Sequence, residues 1–331
     1  MSRSRFIGVL TASVACCAVV IVIAVALLLR SHPATESSGY PRLGSDERIP
    51  DVAEGWYRYP GPQPAFTFDG PFPAMPDEML IYEVILPPEN VSEEYIRELV
   101  ARHFEIPPSA TLQRQSTISS LGTEEWGVTY YNQTGYLTMI TREWGRASTR
   151  DPNDFPTREQ ALRIATDYAV EHNLLPPDAG QGHLSETSIE GRGTMQVSWA
   201  YRIAGYATWG PGAPGMYVEV GPGGKVVGMT KRWPQCRPWK TAPIITPNEA
   251  FKMLNESDSV FIGSKGGAVQ SIVLAYYCVP GERYLVPTYY FWIADDKGYA
   301  AVPAVRPEYI DRNPSPADPP GRHPTDSERT P

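Results

Sequence analysis

Three times along this chain the spacing of hydrophobic positions switches from the period of a helix to that of strands. In "SEEYIRELVARHF", starting at Ser92, Tyr95, Ile96, Leu99, Val100 and Phe104 fall on one stripe, as in an amphipathic helix. "EWGVTYYNQ" and "GYLTMITREW" then alternate with period two, which suits half-buried strands. Thr157 starts a second helix, "TREQALRIATDYAVEHN". Thr157 and Gln160 are spaced as a capping box, and Ala161, Ile164, Ala165, Tyr168 and Ala169 form the inner face. Its strands are "MQVSWAYRIAGY" and the pair within "GMYVEVGPGGKVVGMTKRW". The third helix begins at Thr246 in "TPNEAFKML", with Pro247 at the first helical position and Glu249 completing another box. "GAVQSIVLAYYC", "YLVPTYYFWIADD" and "YAAVPAVRPEYI" supply its strands. These starts suggest degenerate repeats of roughly 65–90 residues, and "MITREWG" echoed by "GMTKRWP" supports them. The pattern predicts an α+β fold of two or three helix-on-antiparallel-sheet units, at 77–150, 151–240 and 241–310.

Within "YLVPTYYFWIADD", Leu285, Pro287, Tyr289, Phe291 and Ile293 share one side of a predicted strand. Tyr284, Val286, Thr288, Tyr290 and Trp292 share the other, whose hydroxyls suit a partly wet face or a contact with a neighbour. Pro287 lacks a ladder donor and so predicts an edge, a bulge or a strand start.

Outside the units the pattern breaks down. Phe6 to Leu29 contains no charged residue, and as a helix about 36 Å long it would span a bilayer with tilt. Arg3 and Arg5 precede it and Arg30 follows. A cytoplasmic N-terminus (1–5), a transmembrane helix (6–29) and an extracytoplasmic remainder are therefore expected, giving a single-pass protein of the cell membrane. The run is longer than the apolar region of a cleaved signal peptide, and Ser13 does not suit a lipobox before Cys16 and Cys17. Residues 30–76 are rich in proline and read as a stalk, parts of which pack back on the domain. Residues 311–331 read as a disordered tail.

Charge and cysteine refine this picture. The net charge is −8, and no basic run offsets it, which argues against a nucleic-acid partner. Cys236 and Cys278 are the two cysteines outside the apolar run. In an oxidising compartment they are expected to form a disulfide, with two buried thiols as the alternative.

Candidate chemistry is sparse. No HExxH, GxSxG, CxxC or P-loop spacing occurs, and no metal site or cofactor is indicated. "GPGGKVVG" lacks the P-loop ending and reads as a hairpin turn, while His172 reads as a helix C-terminal cation. Asn90, Asn132 and Asn255 head N-x-[ST] triplets, acceptors only in a host that glycosylates exported proteins. "KRWPQCRPWK", Lys231 to Lys240, is the notable surface segment. It reads either as an aromatic-basic loop that grips an anionic or peptide partner or as a pinned linker. The expected partner-binding residues are Arg232, Trp233, Arg237 and Trp239, joined by Tyr284, Tyr290 and Trp292.

The helix "TREQALRIATDYAVEHN", then "VSWAYRIAG" and the strand–turn–strand "MYVEVGPGGKVVGM" together resemble a PepSY-type module. The third unit is similar to later repeats of membrane-anchored extracytoplasmic regulators built from related modules, some of which regulate sensor histidine kinases. The likeness spans roughly 157–306. It implies binding or inhibition of a partner, notably a peptidase, and supplies no catalytic residues. The long insert before "MQVSWAYRI" and the cysteine pair depart from the usual pattern. The expected function is that of a non-catalytic binding or regulatory protein. A structural envelope or adhesion component and a secreted hydrolase are the alternatives.

Overall fold

A computed structural model of the chain describes residues 39–50, 64–88, 91–144, 154–184, 194–210, 213–256, 261–262, 266–279, 283–294 and 298–311. Strand β1 (Glu78–Val84) precedes helix α1 (Glu93–Ala101), which β2 (Thr111–Arg114), β3 (Ile118–Gly122), β4 (Trp126–Tyr131) and β5 (Leu137–Thr141) follow. Helix α2 (Arg158–Glu171) leads to β6 (His183–Leu184), β7 (Met195–Ala200), β8 (Tyr206–Trp209), β9 (Gly215–Val220) and β10 (Val226–Arg232). After β11 (Cys236–Pro243) come helix α3 (Pro247–Glu256) and strands β12 (Gly267–Tyr277), β13 (Tyr284–Ile293) and β14 (Tyr299–Pro303).

The three helices start where their caps place them. The Ser92 side chain accepts from the amide of Tyr95, and Thr157 and Gln160 form the full reciprocal box. Thr246 and Glu249 do the same at α3, where the Glu249 carboxylate accepts from the Thr246 amide at 2.7 Å and the Glu249 amide donates to the Thr246 hydroxyl.

Eight strands form the first sheet, in the order β2-β3-β4-β5-β10-β9-β7-β6. It consists of two similar halves. Each runs from a helix through an outer strand inward, and the halves join where β5 pairs antiparallel with β10. That seam is built from the two echoed segments: Met139 faces Met229, and Thr138 faces Thr230 with their hydroxyls 3.1 Å apart. The helices obey the same approximate two-fold relation. Just past α1, His103 Nδ1 lies 3.0 Å from the carbonyl of His172, and just past α2, His172 Nδ1 lies 2.7 Å from the carbonyl of His103. One core unites both helices with the sheet, including Ile96 and Val100 of α1 and Ala161, Ala165 and Ala169 of α2.

The second sheet has nine strands, and its main path runs Arg202–Ile203, β8, β12, β13, β14, Phe261–Ile262. β1 lies between β11 and the first residues of β13, and Phe66–Thr67 runs beside β12. Helix α3 covers one face through Ala250 and Leu254, with the Phe251 ring 6.0 Å from that of Phe291.

Several expectations are corrected here. The fold is mostly β, with nineteen strands against three helices among the described residues, and not a set of two or three helix-on-sheet units. Strand pairing decided this. The first two expected units fuse along β5 and β10, while β1 leaves the first unit to pair with β11 and β13. Described parts of the expected stalk join the domain: Ile49 is fully buried and Ile49–Pro50 pairs with Ile310–Asp311. No helix among the described residues is long and apolar enough to cross a membrane. The expected span at 6–29 lies outside the described residues, as does the tail beyond 311. The described residues therefore lend no support to the single-pass anchor or to the cell-membrane location drawn from it.

Strand β13 separates into the two expected faces; the first is buried, and the second is exposed chiefly at Trp292. Leu285, Tyr289, Phe291 and Ile293 pack under α3, while Val286 and Tyr290 join a second cluster with Leu43 and Ile49. Pro287 sits inside a central strand. On one edge of β13 the partner changes from β1, at Tyr284 and Leu285, to β14, from Thr288 onward. Pro287 occupies that gap, where a missing N–H breaks no ladder bond.

Candidate functional site

The strand pairings distribute the expected site residues over three places. Arg232 ends β10 and Trp233 follows it. Arg237, Trp239 and Tyr284 gather where β11, β1 and β13 lie side by side, with the Trp239 and Tyr284 rings 4.6 Å apart and Lys240 over Trp239. Tyr290 and Trp292 lie farther along β13 against Trp209, at 4.5 and 5.4 Å. Tyr290 is fully enclosed and offers no surface, whereas Trp292 is 36% exposed.

Arg237 is committed to Glu83. This carboxylate is 5% exposed and accepts from Arg237 at 2.5 Å and from Arg283 at 2.5 Å. The hydrogen bond from Arg237 is the main reason its pKa lies below the ordinary carboxylate range; Arg283 adds to it and partial desolvation opposes it. A carboxylate depressed in the fold contributes stability that is complete above its unfolded pKa and is lost as pH falls through the folded value. Urea midpoints should therefore drop on acidification below about pH 5, and Glu83→Gln should flatten that acid limb. An unchanged limb in Glu83→Gln would show that the two arginines do not hold Glu83 ionised.

The expected disulfide is corrected: Cys236 and Cys278 stand as separate thiols. Cys278 Sγ faces the buried guanidinium of Arg232, whose Nη1 donates to it at 3.2 Å. Cys236 faces the Pro234 carbonyl at 3.9 Å and shares a hydrogen bond with Tyr201. Burial pushes the Cys236 thiol up, and a thiol held protonated is a poor nucleophile for bridging.

A cleft of about 860 Å³ opens beside Arg232 and Trp233, between the end of α1, the segment after α2 and the chain that follows β1. Arg102, His103, Lys231 and Arg232 all line it, and none of its described lining residues is acidic. Burial lowers the pKa of Lys231. His103 is also lowered, by burial first and then by the charges of Lys231 and Arg102, against the His172 carbonyl, which raises it. Lys231 and Arg102 thus stand beside an imidazole whose lowered pKa favours its neutral form, and no described lining residue is a carboxylate that would balance them. Ile85 and Leu86, both lining residues, are exposed at 45% and 36%. Three of the four buried side-chain polar atoms without a hydrogen-bond partner, among the described residues, also belong to this wall: Thr134 Oγ1, Arg232 Nη2 and Trp233 Nε1. Arg232 itself is 1% exposed, donates from Nε to the Thr134 carbonyl at 3.2 Å and lies over the Tyr136 ring.

Sequence reasoning singled out Lys231–Trp233 as part of a basic aromatic segment but missed Arg102 and His103. The signal was there in the basic "ARHF" that ends α1, which its apolar stripe masked. "GPGG" is the hairpin turn between β9 and β10, with Gly223 and Gly224 at φ 69° and 71°, where a side chain would be strained. Among the sequon asparagines, Asn90 lies outside the described residues. The half-buried Asn132 and Asn255 spend their amides on neighbouring backbone, including Gln115 O and Phe251 O.

No family model matches the chain, and no curated protein matches it. Among solved structures, the chain is similar to an uncharacterized protein from Eubacterium rectale. The identity is 10%, the match covers 70% of this chain and 84% of that one, and the TM-score is 0.41.

Proposed function

We propose that this protein is a non-catalytic binding or regulatory protein whose ligand occupies the cleft beside β10. The observation that carries this reading is that Arg102, His103, Lys231 and Arg232 line one cleft without a described carboxylate, in a chain of net charge −8. Like charges gathered on one wall repel one another, most of all the half-buried Lys231, and an anion relieves them. The resemblance of residues 157–306 to PepSY-type modules, which bind or inhibit partners, points in the same direction. A bound anion would then be the state that a protein partner, such as a sensor kinase or peptidase, reads.

A thermal-shift panel of sugar phosphates, dicarboxylates, acidic peptides and anionic amphiphiles tests the reading. At least one class should raise the melting temperature of the native chain, with no turnover, and Lys231→Glu should abolish that rise. A rise that survives Lys231→Glu would place the ligand elsewhere, and turnover of the bound compound would make the protein an enzyme.

A further inference from the structure

The cleft carries two opposed chemistries. One part is basic, lined by Lys231 and Arg102 with the His103 imidazole between the same walls. The other is apolar, with Ile85 and Leu86 exposed to solvent and Leu99 and Leu175 beside them. Exposed large apolar side chains that converge on a cleft mark a binding surface more often than chance does. The volume, about 860 Å³, lies within the roughly 300–1,000 Å³ common for small-molecule sites.

The backbone of the wall narrows the choice. Pro87, Pro88, Pro176, Pro177 and Pro234 all line it, and none has an N–H to offer. An extended peptide added as a strand depends on main-chain donors, which these five positions cannot supply. An alkyl chain needs none. The cations suit acceptor oxygens of a head group.

We propose that the cleft's ligand is an amphiphile with one anionic head, a carboxylate or phosphate, held by Arg102, His103 and Lys231, and an apolar chain laid along Ile85, Leu86 and Leu99. The proposal rests on the cleft being the ligand site and names the class that fills it. Retention of both halves explains why the charge is not masked by an internal acid: the acid arrives with the ligand.

Calorimetric titration of the full chain, below the micelle concentration of each probe, separates the alternatives. Dodecanoate and dodecyl phosphate are expected to bind, and the tighter of the two identifies the head group. Dodecanol, acetate and inorganic phosphate should each bind at least tenfold more weakly. Lys231→Met should weaken the two anionic amphiphiles at least tenfold while leaving dodecanol unchanged. Arg102→Met, at an exposed position past α1, repeats the comparison without touching the core. Equal binding of dodecanol and dodecanoate would overturn the anionic head, and equal binding of acetate or phosphate would overturn the chain. A short polyanion or acidic peptide that binds alone, and is lost with Lys231→Met, would overturn the amphiphile yet leave the cleft as the ligand site. Binding of every probe unchanged by both substitutions would overturn both readings.

Discussion

Phe291→Ala is expected to cost about 3–5 kcal/mol of stability, the range for truncating a fully enclosed aromatic residue. Phe291 is 0% exposed at the middle of β13, in contact with the Phe251 ring of α3 and between two paired strands. The strands cannot close over the void, because both neighbours are fixed by ladder hydrogen bonds. The next residue is the control. Trp292 is 36% exposed, and Trp292→Ala should cost much less despite its larger ring. Urea unfolding of both variants decides the matter. A larger loss in Trp292→Ala would mean that the aromatic layer with Trp209 and Tyr299, and not α3, holds the second sheet together.

Arg232 should give opposite results in two substitutions. Arg232→Ala empties a fully enclosed volume and abandons the Thr134 carbonyl, so a loss of about 2–5 kcal/mol is expected. Arg232→Met keeps the volume and removes a buried cation that has a carbonyl, a thiol and a ring around it but no described carboxylate. Replacing buried charge with apolar volume is often neutral or stabilising, so this variant should stay within about 1 kcal/mol of the native chain or exceed it. In the same variant, capture of an anionic ligand should weaken. Such a trade of stability against function is what a site built to take an anion predicts. A large stability loss in Arg232→Met would instead make the guanidinium a structural tie between the turn at Thr134 and Cys278.

The candidate site shows where sequence reading stops. "KRWPQC" drew attention because it combines charge and aromatic rings, and Lys231, Arg232, Trp233, Pro234 and Gln235 do line the cleft. Trp239 and Arg237, equally prominent in the sequence, end in the other sheet, against Tyr284 and Glu83. No spacing rule separates these groups, because β11 turns away to pair with β1. Arg102 and His103 stayed hidden because each is ordinary near a helix end, and only the arrival of β10 beside them makes a cluster.

The sequence alone determined the three helix starts, the alternating strands, the hairpin at "GPGG" and the two faces of β13. All of these are local: a cap, a period or a turn is set by residues within one or two turns of chain. Tertiary structure alone decided which strands pair, and so joined two repeats into one sheet and moved β1 to the other. It also buried Ile49, left the two cysteines unbridged and formed the cleft. Ladder hydrogen bonds are available to any strand, so the choice of partner depends on how apolar faces from distant parts of the chain are covered together.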